Sequence, residues 1–141
     1  MANASVSKAS THWEGNLFQG KGQTKLETSG LATFDVNWTK RSQAAQGNTN
    51  PEELLAAAYT SCFSMALSNA LSEDGNVPTS LDTNAEVTFV PGQGITGIKV
   101  FVKGDVPGLD AEGFKAKAEW ARDNCPVGQA LKAVPKELVV I

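Results

Sequence analysis

Two cysteines and a single histidine are among the scarcest reactive groups in these 141 residues. A free cysteine ordinarily behaves as a small buried hydrophobe, and two features argue for more here. Cys62 is flanked by Thr60, Ser61 and Ser64, small polar groups that a purely apolar core would not choose. Cys125 precedes Pro126 at an expected helix start, where free N–H groups and the helix dipole favour a thiolate. The two lie far apart in sequence, as expected of a peroxidatic thiol and a resolving thiol. Such a pair works by thiolate attack on a peroxide oxygen, giving a sulfenic acid with which the second thiol condenses. Neither cysteine belongs to a CxxC pair, and one histidine gives no zinc-ligand pattern, so no structural metal is expected.

A peroxidatic thiol needs a cation, because thiolate and peroxide both gain negative charge as the O–O bond breaks. The arginines are Arg41 and Arg122. Arg122 falls on the polar face of an expected helix and reads as a surface charge. Arg41 precedes a long apolar segment, close in sequence to Glu52, and a guanidinium fork is a shape that a carboxylate can grip and orient. The plainer reading of Glu52 is a first-turn partner of the helix dipole. Glu52 and Cys62 are ten residues apart, about 15 Å of rise on a straight helix. They cannot share a site within one helix. If both act, Glu52 and Arg41 must reach Cys62 from a partner chain, with two such helices crossing antiparallel. His12, beside Trp13, would have to meet Cys62 for a Cys–His hydrolase, and it reads instead as a strand-packing or surface residue.

The segment that carries Cys62 opens with Asn50 as cap, Pro51 at the first helical position and Glu53 completing a capping-box-like pattern. Leu54, Ala58, Cys62 and Met65 form one apolar row, and Leu55, Tyr59, Cys62, Ala66 and Ala70 form another. Such a helix is expected to be buried on most sides and to end near Asp74, with Gly75 as its C-terminal glycine. Before it, residues 6–13, 22–28 and 33–39 read as strands of an antiparallel meander, and 40–48 as a polar connector. After it, 82–90 and 95–102 read as a hairpin turning at Pro91–Gly94. Asp110 caps a helix running to Asn124, 127–133 form a short helix, and 138–141 a closing strand. The result is an α+β fold in one domain, 1–141. A second copy of the chain is the natural cover for the rest of the central helix, so a homodimer is expected.

A net charge of −3 without a basic run argues against nucleic acid as a partner. The polar first ten residues lack the apolar core of a signal peptide, and the long helix, with Thr60, Ser61, Ser64 and Ser68, reads as too polar for a membrane span. A cytoplasmic protein with no membrane partner and reduced thiols is expected.

The run from Thr49 to Leu67, with Asn50-Pro51-Glu52-Glu53 at its head and Tyr59-Thr60-Ser61-Cys62-Phe63 at its centre, resembles the signature of the OsmC/Ohr family. Asn124-Cys125-Pro126-Val127 resembles its second cysteine motif. His12-Trp13-Glu14-Gly15 and the segment Pro78 to Thr83 are similar to the OsmC branch. The resemblance implies an OsmC-like fold, with antiparallel sheets wrapped around a long central helix in an intertwined homodimer. It implies a thiol-dependent peroxidase reducing organic hydroperoxides, and hydrogen peroxide more weakly. Cys62 would be the peroxidatic thiol, Cys125 the resolving thiol that forms an intramolecular disulfide with it, Arg41 the cation and Glu52 its orienting carboxylate. No cofactor is implied; the partner is an external dithiol reductant of the lipoyl type, such as a lipoylated protein. Two departures stand out: the connector from Arg41 to Thr49 is slightly long, and Gly128 replaces a common serine, which is expected to loosen the start of the last helix. The reading of a different class is a stress protein that keeps this fold to bind a lipid or small molecule. It has no need of a reactive Cys62.

Overall fold

A computed structural model describes residues 3–44 and 46–141. The chain divides into two compact units, Met1–Pro51 and Glu52–Ile141. In the first, strands β1 (Ala9–Glu14), β2 (Lys21–Leu26) and β3 (Thr33–Val36) form the expected antiparallel meander. Its register sets Trp13 opposite Gly22 and Gly22 opposite Val36 on one face, and His12, Gln23 and Asp35 in a row on the other. The third strand stops at Val36, short of the expected 39. Asn37 takes over as a helix cap, its side chain accepting the Lys40 N–H at 2.9 Å, and α1 (Trp38–Gln43) follows. Part of the expected connector is therefore helical; it also contains Ala45, which lies outside the described residues, as do Met1 and Ala2 of the polar N-terminus.

The second unit is built on α2 (Pro51–Glu73). The helix starts where Asn50-Pro51 directs it and stops at a Schellman motif. Gly75 adopts φ +82°, a left-handed conformation open to a residue without Cβ. This lets the Asn76 N–H reach the Leu71 carbonyl at 2.9 Å and the Gly75 N–H reach Ser72 at 3.0 Å. Strands β4 (Ser80–Val90) and β5 (Gly94–Asp105) form the expected hairpin, which turns over Pro91 and Gly92 with Gln93 N–H bonded to the Val90 carbonyl. Helices α3 (Ala111–Asn124) and α4 (Pro126–Ala130) lead to β6 (Lys136–Val140). Asp110 caps α3 through Gly113 N–H at 2.7 Å. The closing strand pairs with β5 in parallel, so this sheet, ordered β4-β5-β6, is mixed rather than antiparallel throughout. Parallel pairing needs a long crossover, and α3 with α4 supplies it.

The core lies between the inward face of this sheet and two helices. Ile98, Val100 and Val102 of β5 pack with Tyr59, Phe63, Leu67 and Leu71 of α2 and with Phe114, Ala118 and Ala121 of α3. Ser64 Oγ meets Thr83 Oγ1 at 2.9 Å and ties α2 to β4. The buried residues of α2 thus recur along one face, and the expectation of burial on most sides is not met in the single chain. Ala57, Ala58 and Ser61 are exposed, and Met65 is 73% exposed. One sheet and one helix cover only one side of a 23-residue cylinder. By length and composition alone α2 could cross a membrane, with a mean hydropathy of 1.3. A buried core helix meets the same test of length and composition, and the Tyr59–Leu71 face is committed to a protein core.

Candidate active site

Cys62 stands in the middle of α2, half-buried; Cys125 stands at the junction of α3 and α4, fully buried. Both are free thiols. The junction forms because Pro126 cannot continue α3: Cys125 N–H makes the last bond of α3, to Ala121 at 3.1 Å. Its backbone then swings to an extended conformation, φ −64° and ψ 145°, and Pro126 opens α4. Cys125 becomes the cap of α4, its sulfur accepting the Gly128 N–H at 3.3 Å where a serine or aspartate oxygen would ordinarily serve. The neighbouring Val127 N–H points to Cys62 Sγ at 3.5 Å. One helix start therefore serves both sulfurs, which are 63 residues apart in the chain.

Burial pushes the Cys125 thiol up to about 11, the Gly128 N–H pulls it down less strongly, and the adjacent Cys62 thiol pushes it up again. The expectation that the helix start would favour a thiolate at Cys125 is corrected: desolvation outweighs the N–H groups, and the resting group is a neutral thiol. Gly128 is buried, and a Cβ there would lie 2.5 Å from the Arg122 carbonyl oxygen and 3.1 Å from Cys125 Sγ, so the close approach at the start of α4 suits a residue without one. The hydroxyls near Cys62 turn back on their own helix, Thr60 to the Ala56 carbonyl at 3.0 Å and Ser61 to Ala57 at 2.7 Å.

Glu52 is not brought to Cys62 within α2. Glu52, in its first turn, is 5% exposed, whereas Glu53 beside it is exposed. Mere interaction with the dipole would not require that burial. The helix runs unbroken from Glu52 to Cys62, which separates them by about 15 Å along its axis. Arg41 lies half-buried in the last turn of α1, in the N-terminal unit. Arg122, on α3, grips Asp123 with Nε at 3.0 Å and Nη2 at 2.9 Å. His12 is exposed on β1. Among the described residues no group of three or more His, Cys, Asp or Glu is arranged to hold a metal.

Two participants escaped the sequence reading. Tyr59, the chain's one tyrosine, is fully buried and donates its hydroxyl to the Arg122 carbonyl at 2.9 Å. Burial pushes that hydroxyl well above the usual tyrosine range. A signal existed, since a tyrosine in an apolar row one turn before Cys62 must find a partner for its hydroxyl. The Val127 N–H had no signal beyond the expected helix start.

Residues 44–138 match the family described as OsmC-like protein. The peroxiredoxin OsmC of Escherichia coli strain K12 is 43% identical over 129 residues, covering 89% of this chain and 90% of that protein. The chain belongs to the OsmC family. Organic hydroperoxide resistance protein OhrB of Bacillus subtilis is 28% identical, covering 73% of this chain and 76% of its own. The higher identity to the OsmC-named relative agrees with the expected OsmC branch. Among solved structures, an organic hydroperoxide resistance protein OsmC from Legionella pneumophila superposes with a TM-score of 0.72 at 25% identity, covering 99% of this chain and 98% of that one. The α+β architecture of this OsmC-family chain is thus that of its structural relatives.

Proposed function

We propose that this OsmC-family protein is a Cys-based peroxidase that reduces organic hydroperoxides to alcohols, and hydrogen peroxide more weakly. The observation that carries the reading is the convergence of Cys62 and Cys125 on the start of α4, with N–H groups of Val127 and Gly128 on the two sulfurs. The names of its relatives, a peroxiredoxin and hydroperoxide resistance proteins, support the same reaction class.

In the proposed cycle Cys62 sulfur attacks one peroxide oxygen; the S–O bond forms as the O–O bond breaks, and the released alkoxide takes a proton and leaves as alcohol. Cys125 sulfur then attacks Cys62 sulfur. The S–S bond forms, the S–O bond breaks, and the hydroxyl departs with the Cys125 proton as water. An external dithiol, such as a lipoylated protein, exchanges with the disulfide, becomes oxidised itself and restores both thiols. The protein's own part in this is donors and shape; no bound cofactor enters.

Arg41 is assigned the stabilisation of charge on Cys62 and the peroxide, and Glu52 the orientation of Arg41. The 15 Å rise, about ten residues of helix, supports their coming from a second copy in a homodimer. The open face of α2, with Met65 on it, supports the same assembly as a cover for apolar surface. The chain from 1 to 141 would then act as one peroxidase domain, in the cytoplasm. A ligand-binding role is less well supported. The groove of about 570 Å³ beside Met65, lined by Ser64, Ser68 and Asn69 together with Pro78 and Leu81, is an open surface depression rather than an enclosed cavity.

Intact mass and thiol count before and after one equivalent of cumene hydroperoxide test the reading. Loss of both thiols with a two-hydrogen mass decrease is expected. Two thiols still free under excess peroxide would overturn it in favour of the ligand-binding protein.

A further inference from the structure

The Arg122 carbonyl oxygen, in the last turn of α3, is approached from two sides. Tyr59 Oη donates to it at 2.9 Å from α2. Gly128 abuts it so closely that a Cβ would stand 2.5 Å away. Between those two contacts runs a turn of seven residues, Arg122 to Gly128, with Cys125 at its centre. Tyr59 is three residues before Cys62, so the same stretch of α2 presents one thiol and grips the turn that carries the other.

We propose that the Arg122 carbonyl anchors the Cys125 turn, and that Tyr59 and Gly128 are positioning residues which, by holding Cys125 against Cys62, decide how Cys62 sulfenic acid divides between disulfide and overoxidation. The inference rests on the peroxidase reading and extends it. Two reactions compete for the same intermediate. In one, Cys125 sulfur displaces the hydroxyl from Cys62 sulfur, and water leaves. In the other, a second hydroperoxide transfers an oxygen to the sulfenic sulfur, which becomes a sulfinic acid as the O–O bond breaks and alcohol leaves. The first depends on sulfur–sulfur geometry; the second does not. Loss of the anchor therefore favours the second.

The geometry explains why each residue has its identity. A phenylalanine would keep the edge-on packing of ring 59 against Phe63, with centroids 6.2 Å apart, but release the carbonyl. Any side chain at 128 would have to displace backbone, since the nearest atom is a carbonyl oxygen rather than the tip of a flexible side chain. The displacement would open the Gly128 N–H to Cys125 Sγ contact, now 3.3 Å.

The test uses full-length, reduced Tyr59→Phe, Gly128→Ala and, as a control, Val100→Ala, which removes core volume from β5 and leaves the turn intact. Each is titrated with cumene hydroperoxide, and the ratio of Cys62 sulfinic acid to Cys62–Cys125 disulfide is read by mass spectrometry. Tyr59→Phe is expected to raise that ratio about fivefold, the worth of one ordinary hydrogen bond in a rate ratio. Gly128→Ala should raise it further, and Val100→Ala should leave it at the parent's value. A parent that forms the disulfide while Tyr59→Phe shows the parent's ratio would overturn the anchor and spare the peroxidase. So would an equal rise in Val100→Ala, which would mark general loosening. A parent that forms neither product would remove the peroxidase reading itself. If Gly128→Ala fails to fold, Tyr59→Phe decides.

Discussion

Cys125 should make the reduced protein lose stability in alkaline solution, by an amount its burial sets. Its thiol is raised from an ordinary 9.0 to about 11 in the folded chain, chiefly by desolvation. A group whose folded pKa lies above its unfolded one contributes stability that is complete below the unfolded value and is lost as pH rises toward the folded value. The window is therefore about pH 9 to 11. At 1.36 kcal/mol per unit, the whole loss is on the order of 3 kcal/mol, and roughly half of it has been lost by pH 10. The assay is urea unfolding of the parent and of Cys125→Ala under a reductant, at pH 7, 8, 9 and 10. The alanine removes the sulfur cap of α4 and lowers stability at every pH, but that offset does not titrate. The parent's advantage should be flat to pH 8 and shrink by roughly half of the whole loss by pH 10. A difference that stays constant or widens over that range would refute the claim that Cys125 rests as a buried neutral thiol.

Other outcomes follow from the proposed roles. Cys62→Ser should abolish peroxidase turnover, and Cys125→Ser should consume one equivalent of hydroperoxide and then accumulate sulfinic acid at Cys62; stopped-flow consumption with mass spectrometry reads both, and undiminished turnover by Cys62→Ser would end the mechanism. Arg41→Ala should slow the peroxide step by about 100- to 1,000-fold, the usual effect of deleting one donor to developing charge. A second-order rate within threefold of the parent's would exclude Arg41. Met65→Asp, on the open face of α2, should shift the protein toward monomer in sedimentation velocity, whereas an unchanged dimer would place the interface elsewhere.

Much of the fold could be read from local chemistry. Asn50-Pro51 starts α2, Gly75 stops it, Asp110 starts α3 and Pro91-Gly92 turns the hairpin, because caps and turns are set by one or two residues each. The misses come where a result depends on something outside the segment. Helix α1 has six residues, too few for a period, and only Asn37 announced it. Strand β6 has five, and nothing in them encodes that β5 will lie parallel. Apolar residues around α2 tell which surfaces can be buried, not which of them one chain will cover. At the site, the motifs located both cysteines, but the protonation of Cys125 turned on a contest between helix-start N–H groups and desolvation. Spacing reveals the first term and conceals the second. Tyr59 was likewise visible as an apolar residue, while its acceptor, a backbone carbonyl at position 122, has no sequence signature at all.

The unlike surroundings of the two sulfurs suit the order of events proposed for them. A peroxide arriving from solvent meets Cys62, which is partly open, and not Cys125, which has no exposed surface. The same burial that keeps Cys125 from direct oxidation also holds its proton, so it is a poor nucleophile at neutral pH while nothing needs resolving. Oxidation of Cys62 changes that balance in a definite direction. The reduced Cys62 thiol is one of the groups raising Cys125, through a hydrogen bond and through charge. Once its sulfur carries a hydroxyl, that contribution is replaced by an electrophile within reach and a leaving group able to take up the Cys125 proton. The Gly128 and Val127 N–H groups, which favour the Cys125 thiolate, are already in place and need no rearrangement. In the proposed mechanism, activation of the second thiol is thereby conditional on oxidation of the first, and the partial exposure of Cys62 with the complete burial of Cys125 favours that sequence.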